Sequence, residues 1–177
     1  GGMDSTTLAY DMKSKGYELH ALSFDYGQKH KKELERAKLT CQKLNIPHHV
    51  IPFGEEMRWL VSNSALTSAT WEVPKGHYEA PNMKQTVVPN RNMIMLALAT
   101  GYAITIDAEA VAYAAHAGDH TIYPDCRPVF VERVREVLEC CHFEPIKLLA
   151  PYLFKTKGDI CVIGRDLKVP YQNTWTC

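Results

Sequence analysis

Apolar residues in this chain switch repeatedly between helical spacing and short strand-like runs, and that alternation leaves few architectures open. Asp4 to Lys15 puts Leu8, Ala9 and Met12 on one helical face and stops at Gly16. Tyr17 to Phe24 reads as a strand, Lys31 to Leu44 as a helix closed by Asn45 and Pro47, and His48 to Ile51 as a short strand. A short helix over Glu55 to Val61 follows. Arg91 to Ile106 is nearly all apolar and reads as a helix buried on most sides. Glu109 to Ala114, rich in Ala and Val, suits a central parallel strand. Val129 to Cys141 is a helix, Ile146 to Leu149 a strand and Lys157 to Arg165 a last helix. Elements in this order build an α/β fold, a parallel sheet with helices on both faces. A strand ahead of Gly1 would complete the first βα unit, and a start on two glycines without a Met points to residues upstream.

The stretch from Ser62 to Pro89 sustains no period and holds Pro74, Gly76, Pro81 and Pro89. A loop of that length is either a lid or substrate loop or a disordered segment, and Trp71, Val73 and Tyr78 favour packing. The 177 residues suit a single domain, 1–177, with a sizeable core. Lys and Arg total 20, as do Asp and Glu, so the formal charge is zero and nothing in the balance favours a nucleic-acid partner. The apolar run Met93 to Ile106 is shorter than the roughly 20 residues that span a bilayer. Cys41, Cys126, Cys140, Cys141, Cys161 and Cys177 show no Cys-x-x-Cys spacing and no secretory leader precedes them, so a reducing cytoplasm is expected.

Six segments carry polar chemistry. Gly1-Gly2-Met3-Asp4-Ser5-Thr6-Thr7 joins glycines that permit close backbone approach to a helix start whose free N–H groups suit an anion. The heptapeptide alone fits an ordinary glycine turn and helix cap equally well. Ser23 to His30, with Asp25, Gln28 and His30, sits at the carboxyl end of a strand, where open α/β sheets bind ligands. Arg91 in Val88-Pro89-Asn90-Arg91-Asn92 stands at a helix start that the dipole disfavours for a cation, a placement that an anionic ligand would offset. Asp119 with Tyr123-Pro124-Asp125-Cys126-Arg127 forms a dense polar set after a strand. Thr156-Lys157-Gly158-Asp159-Ile160 fits a helix cap, and Thr174-Trp175-Thr176-Cys177 leaves a thiol with no visible partner.

Gly1-Gly2-Met3-Asp4-Ser5 resembles the PP-loop, Ser-Gly-Gly-x-Asp-Ser, of the N-type ATP pyrophosphatases. Phe24-Asp25-Tyr26-Gly27-Gln28-x-His30, Val88-Pro89-x-Arg91-Asn92, Asp119 with Tyr123 to Arg127, Thr156-Lys157-x-Asp159-Ile160 and Thr174 to Cys177 together resemble the QueC/ExsB family of 7-cyano-7-deazaguanine synthases over the whole chain. The resemblance implies an adenine-nucleotide α-hydrolase-like (HUP) fold. It implies conversion of 7-carboxy-7-deazaguanine and ammonia to the nitrile preQ0, with ATP and Mg2+, through activation first of the carboxylate and then of the amide. On the same basis the nucleotide is held by Gly1, Gly2, Met3, Asp4, Ser5, Thr6, Thr7 and Leu8, with Asp25, Gln28, His30 and Arg91. Asp4, Arg91, Asp119, Asp125, Arg127 and Lys157 would serve catalysis, the last pair of carboxylates and Arg127 lying nearer the deazaguanine. The family suggests a homodimer in the cytoplasm, acting on small molecules without direct nucleic-acid or membrane contact.

The family motif has a Ser before the first glycine and a zinc-cysteine run beyond the position of Cys177; neither is in this sequence. Cys177 is a zinc ligand by resemblance, but one thiolate does not make a tetrahedral zinc site, so zinc is expected only with the missing cysteines. Cys41 and Cys161 are expected on helix faces and Cys140 and Cys141 in helix packing. Two other readings stay open. One is a PP-loop enzyme that thiolates tRNA or adds lysine to it; the other is a nucleotide-binding protein without turnover.

Overall fold

The computed structural model describes residues 1–28, 31–60, 62–68 and 81–175. They divide into two compact units, Gly1–Trp59 with Lys157–Cys177, and Leu60–Thr156.

In the first unit α1 (Met3–Ser14) leads to β1 (Ala21–Asp25), α2 (Lys32–Leu44), β2 (His48–Pro52) and α3 (Glu55–Leu60). α1 turns Thr6, Thr7, Leu8, Asp11 and Met12 inward. The half-exposed Lys15 pairs with Asp11 at 2.9 Å, which compensates an acid on the buried face. α2 ends as its sequence predicts. Asn45 takes the left-handed conformation at φ 52°, and the Ile46 N–H donates to the Cys41 carbonyl at 2.9 Å. β1 and β2 pair in parallel from Ala21↔His48 to Asp25↔Pro52. A 2.9 Å hydrogen bond between His48 Nε2 and Ser23 Oγ crosses the pair. α6 (Lys157–Asp166) packs on α1, and Tyr171 closes their junction. Its hydroxyl lies 2.8 Å from Thr7 Oγ1 and donates to the Ile160 carbonyl at 3.2 Å. That fit requires Gly164, because a Cβ there would lie 1.6 Å from the Tyr171 hydroxyl.

In the second unit a 3-10 turn over Pro81–Thr86 precedes α4 (Arg91–Thr105), β3 (Ala110–Ala112), α5 (Pro128–Cys140) and β4 (Lys147–Leu149). β3 and β4 are parallel, from Ala110↔Lys147 to Ala112↔Leu149. The core joins Leu96 and Ala103 of α4, Val111, Val131, Val134 and Leu138 of α5, and Ile146, Leu148, Ala150 and Leu153. α5 opens on Pro128, whose missing N–H costs nothing at a helix start.

The order of helices and strands is the one the alternation predicts, and the parallel α/β class holds. Three expectations change. The described strands form two separate two-stranded ladders rather than one ladder, so β3 has a single strand neighbour, not two. α4 is not buried on most sides: Leu96, Thr100 and Ala103 face inward at one stripe, while Ala97, Leu98 and Gly101 are exposed. One stripe is all that β3 and the 3-10 turn Pro124–Cys126 packed on it cover, whatever the composition of the other faces. Cys140 and Cys141 lie exposed at the end of α5, not in packing, while Cys41 on α2 and Cys161 on α6 sit on helix faces as expected, the first buried and the second exposed. The irregular segment after α3 contains the 3-10 turn; Trp71, Val73, Pro74, Gly76 and Tyr78 lie outside the described residues.

Candidate active site

α1 begins directly on the glycine loop. Gly2 is its N-cap at φ −76°, ψ 169°, an extended conformation open to any residue, so neither glycine serves a left-handed turn. Gly1 is required for packing instead: a Cβ would lie 1.7 Å from the Glu33 carbonyl oxygen in α2. Gly2 is different. Among the described residues its imaginary Cβ meets only the Trp175 carbonyl oxygen, at 3.7 Å, which leaves bare backbone at the helix N-terminus. The Trp175 N–H donates to the Gly1 carbonyl at 3.1 Å, and the Trp175 ring carries Lys32 Nζ at 4.5 Å from its centroid.

Ser5 Oγ donates to the Gly2 carbonyl at 3.3 Å, and Thr7 Oγ1 to the Met3 carbonyl at 2.9 Å. Thr6 Oγ1 is buried without a hydrogen-bond partner among the described residues, a state that costs on the order of 1–3 kcal/mol unless a ligand or water satisfies it. Lys157, in the first turn of α6, places Nζ 2.6 Å from Asp4 Oδ2. Helix N–H groups, bare Gly2 backbone and a half-exposed lysine make a donor set that fits phosphate oxygens. Thr7 and Leu8 point into the core, and the Met3 sulfur lies 3.7 Å from the Cys161 thiol.

The loop after β1 is self-braced. Asp25 Oδ1 accepts from the Gly27 N–H at 3.2 Å, and Oδ2 lies 3.5 Å from Arg58 Nη2. Gln28 is buried; its Oε1 accepts from the Tyr26 N–H and its Nε2 donates to the Phe24 carbonyl, each at 3.0 Å. Gly27 sits at φ 85°, where glycine is the comfortable residue. Gln28 thus shapes the loop from within, and His30 lies outside the described residues.

In the second unit the start of α4 meets the 3-10 turn Pro124–Cys126. The Asn92 N–H donates to Asp125 Oδ2 at 2.9 Å, and Asn92 Nδ2 donates to the Asp125 carbonyl and to Cys126 Sγ, each at 3.2 Å. Asp125 therefore places its charge at the positive end of α4. Burial, then Asp119 and Asp125, push the Cys126 thiol up to about 12, against smaller opposing effects of Arg91 and Asn92. A neutral, buried thiol is a poor nucleophile. Burial, with Cys126, Asp125 and Asp119 nearby, also raises Tyr113, whose hydroxyl oxygen is buried with no hydrogen-bond partner among the described residues.

Asp119 has a partner that spacing does not reveal. His116 is buried, and its Nδ1 accepts from the Gly118 N–H at 3.1 Å. That bond leaves the proton on Nε2, which lies 3.5 Å from Asp119 Oδ2. Gly118 allows it, since a Cβ would come within 3.0 Å of the imidazole. Arg127 Nε donates to the His120 carbonyl at 2.8 Å, and the Tyr123 hydroxyl lies 3.0 Å from Thr86 Oγ1.

The structure thus brings Asp4 together with Lys157 at the glycine loop, and Arg91 together with Asp125 around Asn92. Sequence reading gave no role to Asn92, Tyr113, His116, Tyr171 or Trp175. Asn92 and Trp175 stood inside quoted motifs, whereas Thr7, the partner of Tyr171, is 164 positions away, and the His116 contact with Asp119, only three residues on, depends on a 3-10 turn. Cys177 lies outside the described residues, and among those described no three His, Cys, Asp or Glu side chains gather as a metal centre. The described residues therefore do not fit a zinc site.

A glycine loop running straight into a helix of a parallel α/β fold is shared by several nucleotide-binding folds, and similarity to known proteins selects the PP-loop, HUP-like class among them. The fold agrees with that of the U34-tRNA thiolase NcsA from Methanococcus maripaludis, solved with its [4Fe-4S] cluster: the TM-score is 0.59 at 12% identity, over 100% of this chain and 58% of that one. The family model of the queuosine biosynthesis protein QueC matches residues 1–177, and the chain belongs to that family. It is 52% identical to the 7-cyano-7-deazaguanine synthase of Caldicellulosiruptor saccharolyticus over 100% of this chain and 78% of that protein. Its identity to the synthase of Methanoregula boonei is 53% over 100% of this chain and 81% of that one. For Hahella chejuensis the figures are 52%, 100% and 76%. Family and fold make the chain an ATP-using enzyme of queuosine biosynthesis. Among the described residues no helix is long and apolar enough to cross a membrane.

Proposed function

We propose that the chain makes 7-cyano-7-deazaguanine from 7-carboxy-7-deazaguanine, ammonia and ATP, with Mg2+ accompanying the nucleotide. The observation that supports it most is the anion-ready start of α1, where Lys157 meets Asp4 and the Gly2 backbone is bare. A carboxylate does not react usefully with ammonia, so the acid must first be activated. Its oxygen attacks the ATP α-phosphorus, pyrophosphate leaves, and the acyl adenylate takes ammonia to give the amide with loss of AMP. The amide oxygen then attacks a second ATP with loss of pyrophosphate, and that oxygen leaves with AMP while the amide nitrogen gives up both of its protons, which leaves the nitrile.

The protein's part is positioning and charge stabilisation. Gly1 to Ser5 and Thr6 hold phosphate oxygens, Lys157 and Arg91 offset their charge, and Asp25 serves the nucleotide side. Asp119, Asp125 and Arg127 serve the deazaguanine. Through Asp4, Lys157 is held in place before the nucleotide arrives. The reading includes a cytoplasmic homodimer of one functional domain, and zinc only where cysteines beyond Cys177 complete a set with it. ATP consumption measured with each partner omitted tests the proposal. Consumption should require both the carboxylate and ammonia; consumption that instead requires tRNA, with steep salt dependence, contradicts it.

A further inference from the structure

Asn92 joins three residues on two elements. Its N–H reaches Asp125 Oδ2 at 2.9 Å, and its Nδ2 reaches the Asp125 carbonyl and Cys126 Sγ at 3.2 Å. Its Oδ1 accepts from both Nε and Nη2 of Arg91 at 3.4 Å. Helix formation does not explain these bonds. The N-cap of α4 is Asn90, and none of the Asn92 side-chain bonds goes to the backbone of α4. The chemistry matches an amide, whose oxygen faces the cation while its NH2 faces two acceptors. Aspartate keeps the shape but loses the donors, and leucine loses both faces.

We propose that Asn92 is a positioning residue that fixes the Arg91 guanidinium and the Asp125 carboxylate relative to each other for turnover. This rests on the reading of Arg91 and Asp125 as site residues. Asn92 touches no reacting atom. It acts by holding two charged groups from different segments in one arrangement, where a displacement of about 1 Å costs on the order of 10²-fold in rate.

The test is a double-mutant cycle on the intact protein, with kcat and the KM for ATP measured separately. Asn92→Asp and Asn92→Leu should lower kcat on the order of 10²-fold with little change in KM. Asn92→Gln, which keeps both amide faces, should recover part of the loss. Asp125→Asn combined with Asn92→Asp should be no worse than the worse single change, because the pair acts as a unit. Melting curves check folding, and the isosteric Asn92→Asp carries the test if Asn92→Leu does not fold. Full additivity, or unchanged kcat in folded Asn92→Asp, overturns the proposal. If Arg91→Ala and Asp125→Asn both leave turnover intact, the site assignment itself fails and the proposal with it. If those lose turnover while the Asn92 variants do not, only the positioning role fails.

Discussion

Cys126 shows how a residue in a functional motif can be chemically quiet. Its thiol is buried beside Asp119 and Asp125 and pushed up to about 12, from an ordinary 9.0. Below pH 9 the thiol is neutral in folded and unfolded chains alike, so it adds no pH dependence. As pH rises from 9 toward about 12 the unfolded chain ionises first, and folded stability falls across that window. Tyr113 is raised for the same reason and acts in the same direction. Denaturant midpoints should drop over this window, and drop less in Cys126→Ala; parallel declines in both proteins would contradict the assignment. Thiol labelling below pH 9 should modify Cys140, Cys141 and Cys161 in the native protein and reach Cys126 and Cys41 only after unfolding. At the other end of the scale, burial lowers His48, which joins β2 to Ser23 of β1. Its neutral form stabilises the fold, and that contribution is lost as pH falls below 6.5, which acid unfolding of a His48→Asn variant would test.

Elements were more legible in the sequence than their partners. Asn45 and Gly16 mark real helix ends because capping is local chemistry, carried by one or two residues. The exposed face of α4 was not legible, since composition says how apolar a helix is and only packing says how many sides are covered. Gly1 and Gly2 look alike in sequence yet do different jobs, because the Glu33 carbonyl that crowds Gly1 comes from α2. Gly1→Ala should overpack that contact and destabilise the protein by roughly 1–3 kcal/mol. Gly2→Ala should melt like the wild type but use ATP poorly. Equal melting losses for both would remove the argument that Gly2 is kept bare for a ligand. The Lys157 contact with Asp4 joins two segments that the quoted motifs had already singled out, while the Tyr171 contact with Thr7 was invisible because 164 positions separate the pair. Tyr171→Phe should cost about 1–2 kcal/mol in melting or denaturant experiments.

For the whole molecule, two compact units each contribute groups from the QueC family motifs. The first carries the glycine loop with Lys157, the second the Arg91, Asn92 and Asp125 cluster with His116 and Asp119. Zero net charge suits small-molecule substrates. The account therefore stands on the product. The protein is incubated with ATP, 7-carboxy-7-deazaguanine and 15N-labelled ammonia, and the deazaguanine is weighed by mass spectrometry. The account predicts a nitrile that has lost both carboxylate oxygens and gained one 15N. ATP consumed with the carboxylate unchanged, or a 15N label carried on a different acceptor, would contradict it.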